Sequence, residues 1–234
     1  MTLPVAILAG GLATRLGSIT QTIPKALLDI AGKPFVVHQL ELLRASRIRR
    51  VVLCVQHLAD QIEALLGNGS AYGIEVLYSH DGDKLVGTGG ALKRALPLLG
   101  EDFFVLYGDS YLRCDYTSIE ESYRRSRKQG LMTVFKNDGQ YDTSNVKYRD
   151  GRILAYDKTP GLHGMTHIDW GLGVLSARAF DRYPADSKLD LAVVYRDLLD
   201  AGQLAAYEVQ ERFYEIGSVA GLEDTRRLLS KESR

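Results

Sequence analysis

The sequence predicts an α/β protein, a three-layer sandwich with a mostly parallel central sheet and an added antiparallel hairpin lobe. Short apolar runs alternate with helical patterns through roughly the first half of the chain, as right-handed crossovers between parallel strands require. The first run is apolar throughout, like a strand buried on both faces of a parallel sheet. An Asp150-Gly151 pair between two later strands indicates an antiparallel hairpin. The expected fold is therefore Rossmann-like.

The composition excludes several classes of protein. Lys and Arg together number 29, as do Asp and Glu, so the chain has no overall basic field to bind nucleic acid. The two cysteines, Cys54 and Cys114, argue against a disulfide framework and fit a reducing compartment. We find neither a signal-peptide pattern nor an apolar run long enough for a membrane span, so we expect a cytoplasmic protein without a membrane partner. A homo-oligomer is compatible with these features.

The N-terminal segment carries the strongest functional signal. An apolar strand over residues 3–9 leads into Gly10-Gly11, Arg15 and then Pro24-Lys25. Paired glycines allow close approach of the backbone to a ligand, and successive N–H groups in such a turn bind anions. Arg15 and Lys25 add positive charge, so the segment is suited to a polyphosphate. The competing interpretation is a glycine-rich turn with two solvated cations.

Two familiar phosphate-binding patterns are absent from this turn. A Walker A loop ends in Gly-Lys-Ser/Thr after four intervening residues, and a dinucleotide fingerprint has Gly at its first, third and sixth positions. Neither spacing occurs here. A nicotinamide-dependent oxidoreductase is therefore disfavoured.

The remaining elements follow in order along the chain. Helical spacing after Pro34 predicts a helix through about Leu43, and Gly67 ends a second one. The predicted strands are 50–55, 74–78, 102–107, 132–135, 145–148, 153–156, 168–175, 204–209 and 212–216. The predicted helices are 35–43, 58–66, 87–99, 119–129, 189–199 and a C-terminal helix to about 229.

Two further segments belong to the predicted site. The turn Gly87-Thr88-Gly89 opens a helix, and such a turn offers free N–H groups to a ligand, although a plain helix start gives the same pattern. Asp109 follows an apolar strand, so its carboxylate lies at the edge of the sheet where the first turn also lies. A carboxylate there can hold Mg²⁺ against phosphate oxygens. A turn aspartate without a ligand is the alternative.

The chain resembles the nucleotidyltransferases that join a nucleoside monophosphate to a sugar 1-phosphate. Their opening loop reads Leu-Ala-Gly-Gly-x-Gly-Thr-Arg-Leu and is followed by Pro-Lys. The corresponding stretch here runs from Leu8 to Leu16, with Ala13 in place of a glycine. The resemblance implies binding of a nucleoside triphosphate through Leu8, Gly10, Gly11, Thr14, Gly87, Thr88 and Gly89, with Arg15 and Lys25 as catalytic residues. It covers nearly the whole chain, as a single domain 1–234 with a nucleotide half (about 1–115) and a sugar-phosphate half (about 116–234).

The resemblance also implies a sugar 1-phosphate site in the second half. Its residues would be Asn145, Asp157, Lys158, Asp169 and Gly171, with Lys158 on the sugar phosphate. Asp157 stands where the family has a longer Glu, and Asp169 where it has an Asn or a similar residue. Glu215 occupies the position of the family's second metal carboxylate, an Asp. An edge-strand Glu without a ligand is the alternative there.

The expected reaction is transfer of a nucleoside monophosphate from a triphosphate to a sugar 1-phosphate, with release of pyrophosphate and with Mg²⁺ on Asp109 and Glu215. The Gly87-Thr88-Gly89-Gly90 segment is most similar to the corresponding segment of heptose or mannose 1-phosphate guanylyltransferases. The resemblance therefore favours GTP as the nucleotide. The alternatives are cytidylyl or uridylyl transfer to another sugar phosphate or to phosphocholine, and a nucleotide-binding regulatory subunit without activity.

Overall fold

The computed structural model describes residues 2–11, 22–82, 85–159, 163–185 and 187–232. Its elements in chain order are β1 (Val5–Leu8), β2 (Asp29–Ile30), β3 (Lys33–Pro34), α1 (Phe35–Ala45), β4 (Arg50–Val55), α2 (Ala59–Leu66), β5 (Glu75–His80), α3 (Gly87–Leu99), β6 (Asp102–Tyr107), β7 (Ser110–Tyr111), α4 (Tyr116–Ser126), β8 (Gly130–Lys136), β9 (Val146–Arg149), β10 (Arg152–Tyr156), β11 (His167–Ser176), α5 (Leu191–Asp200), β12 (Leu204–Val209), β13 (Tyr214–Glu215) and α6 (Val219–Glu232).

A mixed nine-stranded sheet forms the centre of the molecule. Its strands follow the order β10-β9-β11-β6-β1-β4-β5, with β8 paired to β11 and β12 to β8. The pairs of β1 with β4 and β6, of β4 with β5 and of β8 with β12 are parallel. Pairing directions place β10 and β11 antiparallel to the other strands. The predicted α/β architecture with a mostly parallel sheet is therefore confirmed.

Helices cover both faces of this sheet. Alternate residues of β1 point to opposite sides, with Val5 and Ile7 in one buried cluster and Ala6 in another. The first cluster packs α1, α2 and α4 against the sheet, and the second packs α3 and α5. Strands buried on both faces are continuously apolar for this reason. Among the described residues, no helix is long and apolar enough to cross a membrane.

Boundaries of some elements differ from the prediction for identifiable reasons. Helix α4 begins at Tyr116, because the side chain of Asp115 accepts hydrogen bonds from the N–H groups of Thr117 and Ser118 and so caps it. Strand β5 continues to His80 because it pairs with β4 along its whole length.

Helix α6 packs against a third, smaller apolar cluster. This cluster also contains residues of β7 and of the β2–β3 ribbon.

The predicted hairpin is present as β9 and β10. Asp150 and Gly151 both have positive φ, 51° and 76°, as a type I′ turn requires. The second half of β11 pairs with β6, whereas His167 at its start pairs with Val146 of β9. The hairpin therefore lies beyond the carboxyl end of β6.

Candidate active site

A cleft of about 360 Å³ opens at the carboxyl ends of β1, β4, β5 and β6. Open α/β sheets bind their ligands at this edge. The predicted residues Leu8, Gly10, Gly11, Lys25, Gly87, Thr88 and Asp109 all lie on its wall. Thr14 and Arg15 lie outside the described residues.

Gly108 determines where Asp109 lies. Its N–H donates to the carbonyl of Leu8 at 3.1 Å, and a Cβ at this position would collide with that carbonyl. The close contact between the ends of β6 and β1 brings Asp109 beside the glycine turn. Its carboxylate Oδ2 lies 3.0 Å from Nζ of Lys25. The structure thus brings an acidic and a basic residue that are far apart in sequence together on the cleft wall.

The lining of the cleft also contains Asp81, a residue that is not among the predicted site residues. It follows β5 directly, it is only 7% exposed, and its Oδ1 atom has no hydrogen-bond partner among the described residues. Burial raises the pKa of its carboxyl from 3.8 to about 6, against the lowering effect of Arg94 and His80. A Cβ on Gly10 would lie 3.1 Å from Asp81 Oδ2. Asp81 is therefore a buried acceptor next to the Gly10-Gly11 turn.

Asp81 can be predicted from the sequence only if the end of β5 is placed correctly. The sequence pattern predicts that β5 ends at residue 78 and that the polar residues after it form a loop. Extension of the strand to His80 would have placed Asp81 at the carboxyl end of a parallel strand, the same position that singled out Asp109. Gln56, which follows β4 and donates to the carbonyl of Gly82 at 3.3 Å, was missed as well.

The start of α3 requires a correction. The N–H groups of Gly89 and Gly90 were expected to be free for a ligand, but both donate to the carbonyl of Leu189, at 2.9 and 3.1 Å. Gly89 is buried and is absent from the cleft wall, whereas Gly87 and Thr88 do line it. A segment from the second half of the chain therefore occupies the helix terminus that the sequence analysis assigned to the nucleotide.

Several predicted sugar-phosphate residues cluster beside the cleft. The Asn145 side-chain oxygen accepts from the N–H of Asp169 at 2.9 Å, and the carboxylate of Asp169 accepts from the N–H of Gly171 at 3.1 Å. Gly171 has a φ of +97° within an irregular stretch of β11. Nζ of Lys158 lies 5.6 Å from the centre of the Tyr107 ring, and Tyr107 lines the cleft.

Asp169 is the centre of this group. Tyr107 and Tyr156 donate their hydroxyl hydrogens to its Oδ2 atom, at 3.4 and 3.3 Å. Burial raises the pKa of the Asp169 carboxyl, while Lys158 and the hydrogen bonds partly offset this effect. The two tyrosines hold the carboxylate in one orientation. Neither was selected from the sequence, because an apolar strand end and a hairpin end give no local signal of such a contact.

Two predicted residues do not join these groups. The carboxylate of Asp157 accepts from the N–H of Thr159 at 2.8 Å outside the tyrosine cluster. Glu215 accepts through Oε2 from the N–H of Gly217 and, at 3.0 Å, from that of Ser218. Its Oε1 accepts from the Ser218 hydroxyl at 2.5 Å. The Glu215 carboxylate therefore stabilises the start of α6, and it is absent from the cleft wall.

The site fits Mg²⁺ through one carboxylate. Among the described residues, no group of three or more His, Cys, Asp or Glu side chains could hold a metal. Mg²⁺ needs no such group, because one or two carboxylates and substrate phosphates commonly hold it. Asp109, with a side chain 27% exposed on the cleft wall, provides oxygens of the required kind.

Fold and cleft together define a nucleotide-binding α/β protein, and comparison with known proteins identifies its family. Residues 5–145 match the family model described as nucleotidyl transferase. The chain therefore belongs to the nucleotidyl transferase family, as the sequence analysis expected.

Named relatives are similar over most of the chain. It is 31% identical to UTP–glucose-1-phosphate uridylyltransferase of Synechocystis sp., over 91% of this chain and 60% of that protein. It is 30% identical to mannose-1-phosphate guanyltransferase beta-B of Xenopus laevis, over 90% and 60% of the two chains. It thus spans about 60% of the length of these two relatives. With N-acetylmuramate alpha-1-phosphate uridylyltransferase of Neisseria meningitidis it shares 30% identity over 95% and 96% of the chains.

Solved structures show the same fold. HddC from Yersinia pseudotuberculosis, complexed with GMP-PN, superimposes with a TM-score of 0.82 and 26% identity, over 97% of this chain and all of that one. The inositol-1-phosphate CTP transferase from T. maritima gives a TM-score of 0.80 at 20% identity, over 98% and 96% of the chains. The latter likeness supports the fold alone.

Proposed function

We propose that this chain transfers a nucleoside monophosphate from GTP to a hexose or heptose 1-phosphate such as mannose 1-phosphate, and releases pyrophosphate. The observation that carries this proposal is the position of Lys25 and Asp109, 3.0 Å apart, on the cleft that the Gly10-Gly11 turn also lines. A cation, a metal-binding carboxylate and an amide-rich turn on one cleft are what a triphosphate requires.

The reaction needs positioning and charge stabilisation more than proton transfer. An oxygen of the sugar 1-phosphate attacks the α-phosphorus, a bond forms there, and the bond to the β-phosphate oxygen breaks so that pyrophosphate leaves with the electron pair. The attacking phosphate is already ionised, so no general base is needed. Both reactants are anions, and preorganised positive charge lowers the barrier between them.

Lys25 contributes that charge at the triphosphate, because its ammonium group lies on the cleft wall. We propose that Arg15 binds the departing pyrophosphate. Asp109 would hold Mg²⁺, which supplies additional neutralisation of the phosphate charge when bound. Glu215 is left out of this set because the start of α6 already engages its carboxylate.

Asp81 supports guanine as the base. The Watson–Crick edge of guanine presents two neighbouring donors, N1–H and the N2 amino group, and an ionised carboxylate is an acceptor only. Uracil presents one N–H between two carbonyl oxygens, which a carboxylate repels. A site built around a buried acceptor discriminates against ligands that leave that acceptor unpaired. The unpartnered Oδ1 of Asp81 is such an acceptor.

Lys158 supports a phosphorylated sugar as the acceptor. Its ammonium group lies over the face of Tyr107, the kind of position that a quaternary ammonium would otherwise occupy. A second positive charge there would be repelled, which disfavours phosphocholine. Asn145 and Asp169 offer a side-chain amide and a carboxylate, groups that can bind the hydroxyls of a sugar.

Uridylyl transfer is the second candidate. It is favoured by the relation to the Neisseria protein, which is named as a uridylyltransferase and matches this chain over nearly the whole of both lengths. The chemistry at Lys25 and Asp109 is the same for both nucleotides, so the two candidates differ only at the base.

One panel of assays tests the proposal. GTP, UTP, CTP and dTTP would each be incubated with mannose 1-phosphate, a heptose 1-phosphate, glucose 1-phosphate, N-acetylmuramate 1-phosphate or phosphocholine, with Mg²⁺, and pyrophosphate would be measured. We expect release with GTP and a sugar phosphate. Release with UTP only would favour the second candidate, and no release with any pair would favour a regulatory subunit without activity.

A further inference from the structure

A bridging segment, residues 187–191, ties the two halves of the site together at the start of α3. The N–H of Leu189 donates to the carbonyl of Val86 at 2.8 Å, and the carbonyl of Leu189 accepts from Gly89 and Gly90. These contacts join residues about a hundred positions apart in the sequence. They involve the glycine turn that the family resemblance assigns to the nucleotide.

The bridging segment packs so closely on this turn that it leaves little room for side chains there. A Cβ on Gly87 would lie 2.5 Å from the carbonyl oxygen of Leu189, and one on Gly89 would lie 2.8 Å from the Leu189 Cγ. On Gly90 it would lie 3.1 Å from the carbonyl oxygen of Ser187. Real Cβ atoms do not come within 3.0 Å of other heavy atoms, so the bridging segment excludes a side chain at Gly87 and Gly89, whereas at Gly90 the nearer obstacle is Val86 Cβ, at 2.8 Å.

Thr88 completes the contact with its side chain. Its Oγ1 accepts from the N–H of Leu191 at 2.9 Å and lies 3.4 Å from Asp190 Oδ1. Asp190 in turn caps α5 through the N–H of Ala192. Leu191 is fully buried, so its N–H depends on Thr88 for a partner.

Helix α5 connects the Thr88 contact with the residues proposed to bind the acceptor. Tyr195, about one turn after Leu191, packs edge to face on Tyr156 with ring centres 6.0 Å apart. Its hydroxyl fills the space beside Gly173 of β11, where a Cβ would collide with it. Tyr156 donates to Asp169. An unbroken series of contacts therefore runs from Thr88 to the proposed sugar-binding carboxylate.

We infer that Thr88 is a positioning residue for the acceptor wall, acting through the bridging segment and α5, and that it is not a ligand of the nucleotide. The inference deepens the proposed function and rests on it for the identity of the acceptor. The contact itself can be tested without turnover, because the amide of Leu191 reports on it directly.

Three variants of the full chain test this inference. Thr88→Val keeps the shape of the side chain but removes the oxygen that Leu191 needs, whereas Thr88→Ser keeps that oxygen. Tyr123→Phe is the matched control, because it removes a buried hydroxyl that bonds to Asp102 at 2.7 Å, at the opposite end of β6. Amide hydrogen exchange at 189–196 and the KM values for GTP and mannose 1-phosphate would be measured.

In Thr88→Val we expect exchange at Leu191 and the first turn of α5 to rise about tenfold, as for the loss of one buried hydrogen bond. The KM for mannose 1-phosphate should rise by about the same factor, with the KM for GTP changed less than about twofold. Thr88→Ser should restore both values and Tyr123→Phe should change neither.

Unchanged exchange at 189–196 in Thr88→Val would overturn the inference, as would a rise confined to the KM for GTP, which would make Thr88 a nucleotide ligand. If the unmodified protein releases no pyrophosphate with any substrate pair, the proposed function fails, and the exchange data alone decide whether Thr88 holds the bridging segment.

Discussion

Nζ of Lys25 lies 3.0 Å from Oδ2 of Asp109, although 84 positions separate the two residues in the chain. Lys25 follows the glycine turn after β1, and Asp109 follows β6, so the contact depends on the parallel pairing of those two strands. Lys25 and Asp109 have side chains 17% and 27% exposed. The pair is mostly shielded from water, so the cost of desolvating both charges offsets much of their attraction and its net contribution to stability is small. Its placement on the cleft is what the proposed role in phosphate chemistry requires.

Asp109→Ala separates that role from a structural one. We expect kcat to fall by about a hundredfold or more, because the variant lacks the proposed metal carboxylate. The variant should still fold, with the free energy of unfolding lowered by about 1–3 kcal/mol, because the Lys25 ammonium, with a side chain only 17% exposed, loses its partner. Pyrophosphate release and thermal unfolding measure the two effects. A folded variant with normal turnover would remove Asp109 from the mechanism.

Gly108→Ala tests the contact that places Asp109. The added methyl group would collide with the carbonyl of Leu8, so β6 must shift and both stability and activity should fall. A loss of about 1–3 kcal/mol in the free energy of unfolding is typical of such overpacking. Gly11→Ala is the stability control, because a Cβ there meets nothing within 4 Å among the described residues. Equal melting temperatures for the two variants would contradict this account of Gly108.

Asp81→Asn tests recognition of the base. The amide replaces one acceptor oxygen with a donor, so we expect the KM for GTP to rise about tenfold or more, while UTP gains relative to GTP. The ratio of kcat/KM values for GTP and UTP, measured in both proteins, checks this expectation. A ratio that stays constant would show that Asp81 does not contact the base.

The raised pKa of Asp81 adds a dependence on pH. The carboxyl is ionised above about pH 6 and protonated below it. We therefore expect kcat/KM for GTP to fall as the pH decreases through about 6 in the unmodified protein, and to stay flatter in Asp81→Asn.

The effect of pH on stability has the opposite sign. A folded-state pKa raised from 3.8 to about 6 means that stability decreases as the pH rises through this range. Asp81→Asn should therefore melt higher than the unmodified protein at pH 7, with the difference lost near pH 4. A pH profile for GTP that is identical in both proteins would contradict the assignment.

Lys158→Met tests the acceptor side. The substitution keeps the length and apolar stem of the side chain but removes the charge next to Tyr107. We expect a KM for mannose 1-phosphate raised about tenfold and a KM for GTP within about twofold of normal. Kinetics with each substrate varied in turn measure both values. A rise in the KM for GTP alone would place Lys158 on the nucleotide instead.

Local signals made the fold and part of the site predictable. The apolar runs gave the parallel strands, and Asp150-Gly151 gave the hairpin, because each of these patterns depends on neighbouring residues. Lys25 and Asp109 could be placed together because both follow strands whose carboxyl ends meet at one edge of the sheet.

The rest of the site depends on contacts between distant segments. Nothing near Gly89 in the sequence indicates that Leu189 will use its N–H, and nothing near Glu215 shows that its carboxylate turns toward α6 rather than the cleft. Asp81 was missed because the end of β5 is set by its pairing with β4. These outcomes follow from tertiary packing, to which a local pattern is insensitive.

The central claim is that the Gly10-Gly11 turn, Lys25 and Asp109 bind one triphosphate. A crystal structure with Mg²⁺ and a non-hydrolysable GTP analogue tests it most directly. The account predicts the phosphates between the amides of the turn and Asp109, with the Lys25 ammonium in contact with a phosphate oxygen and the guanine edge on Asp81. An analogue bound in full away from this cleft, or with its phosphates remote from Asp109, would contradict it.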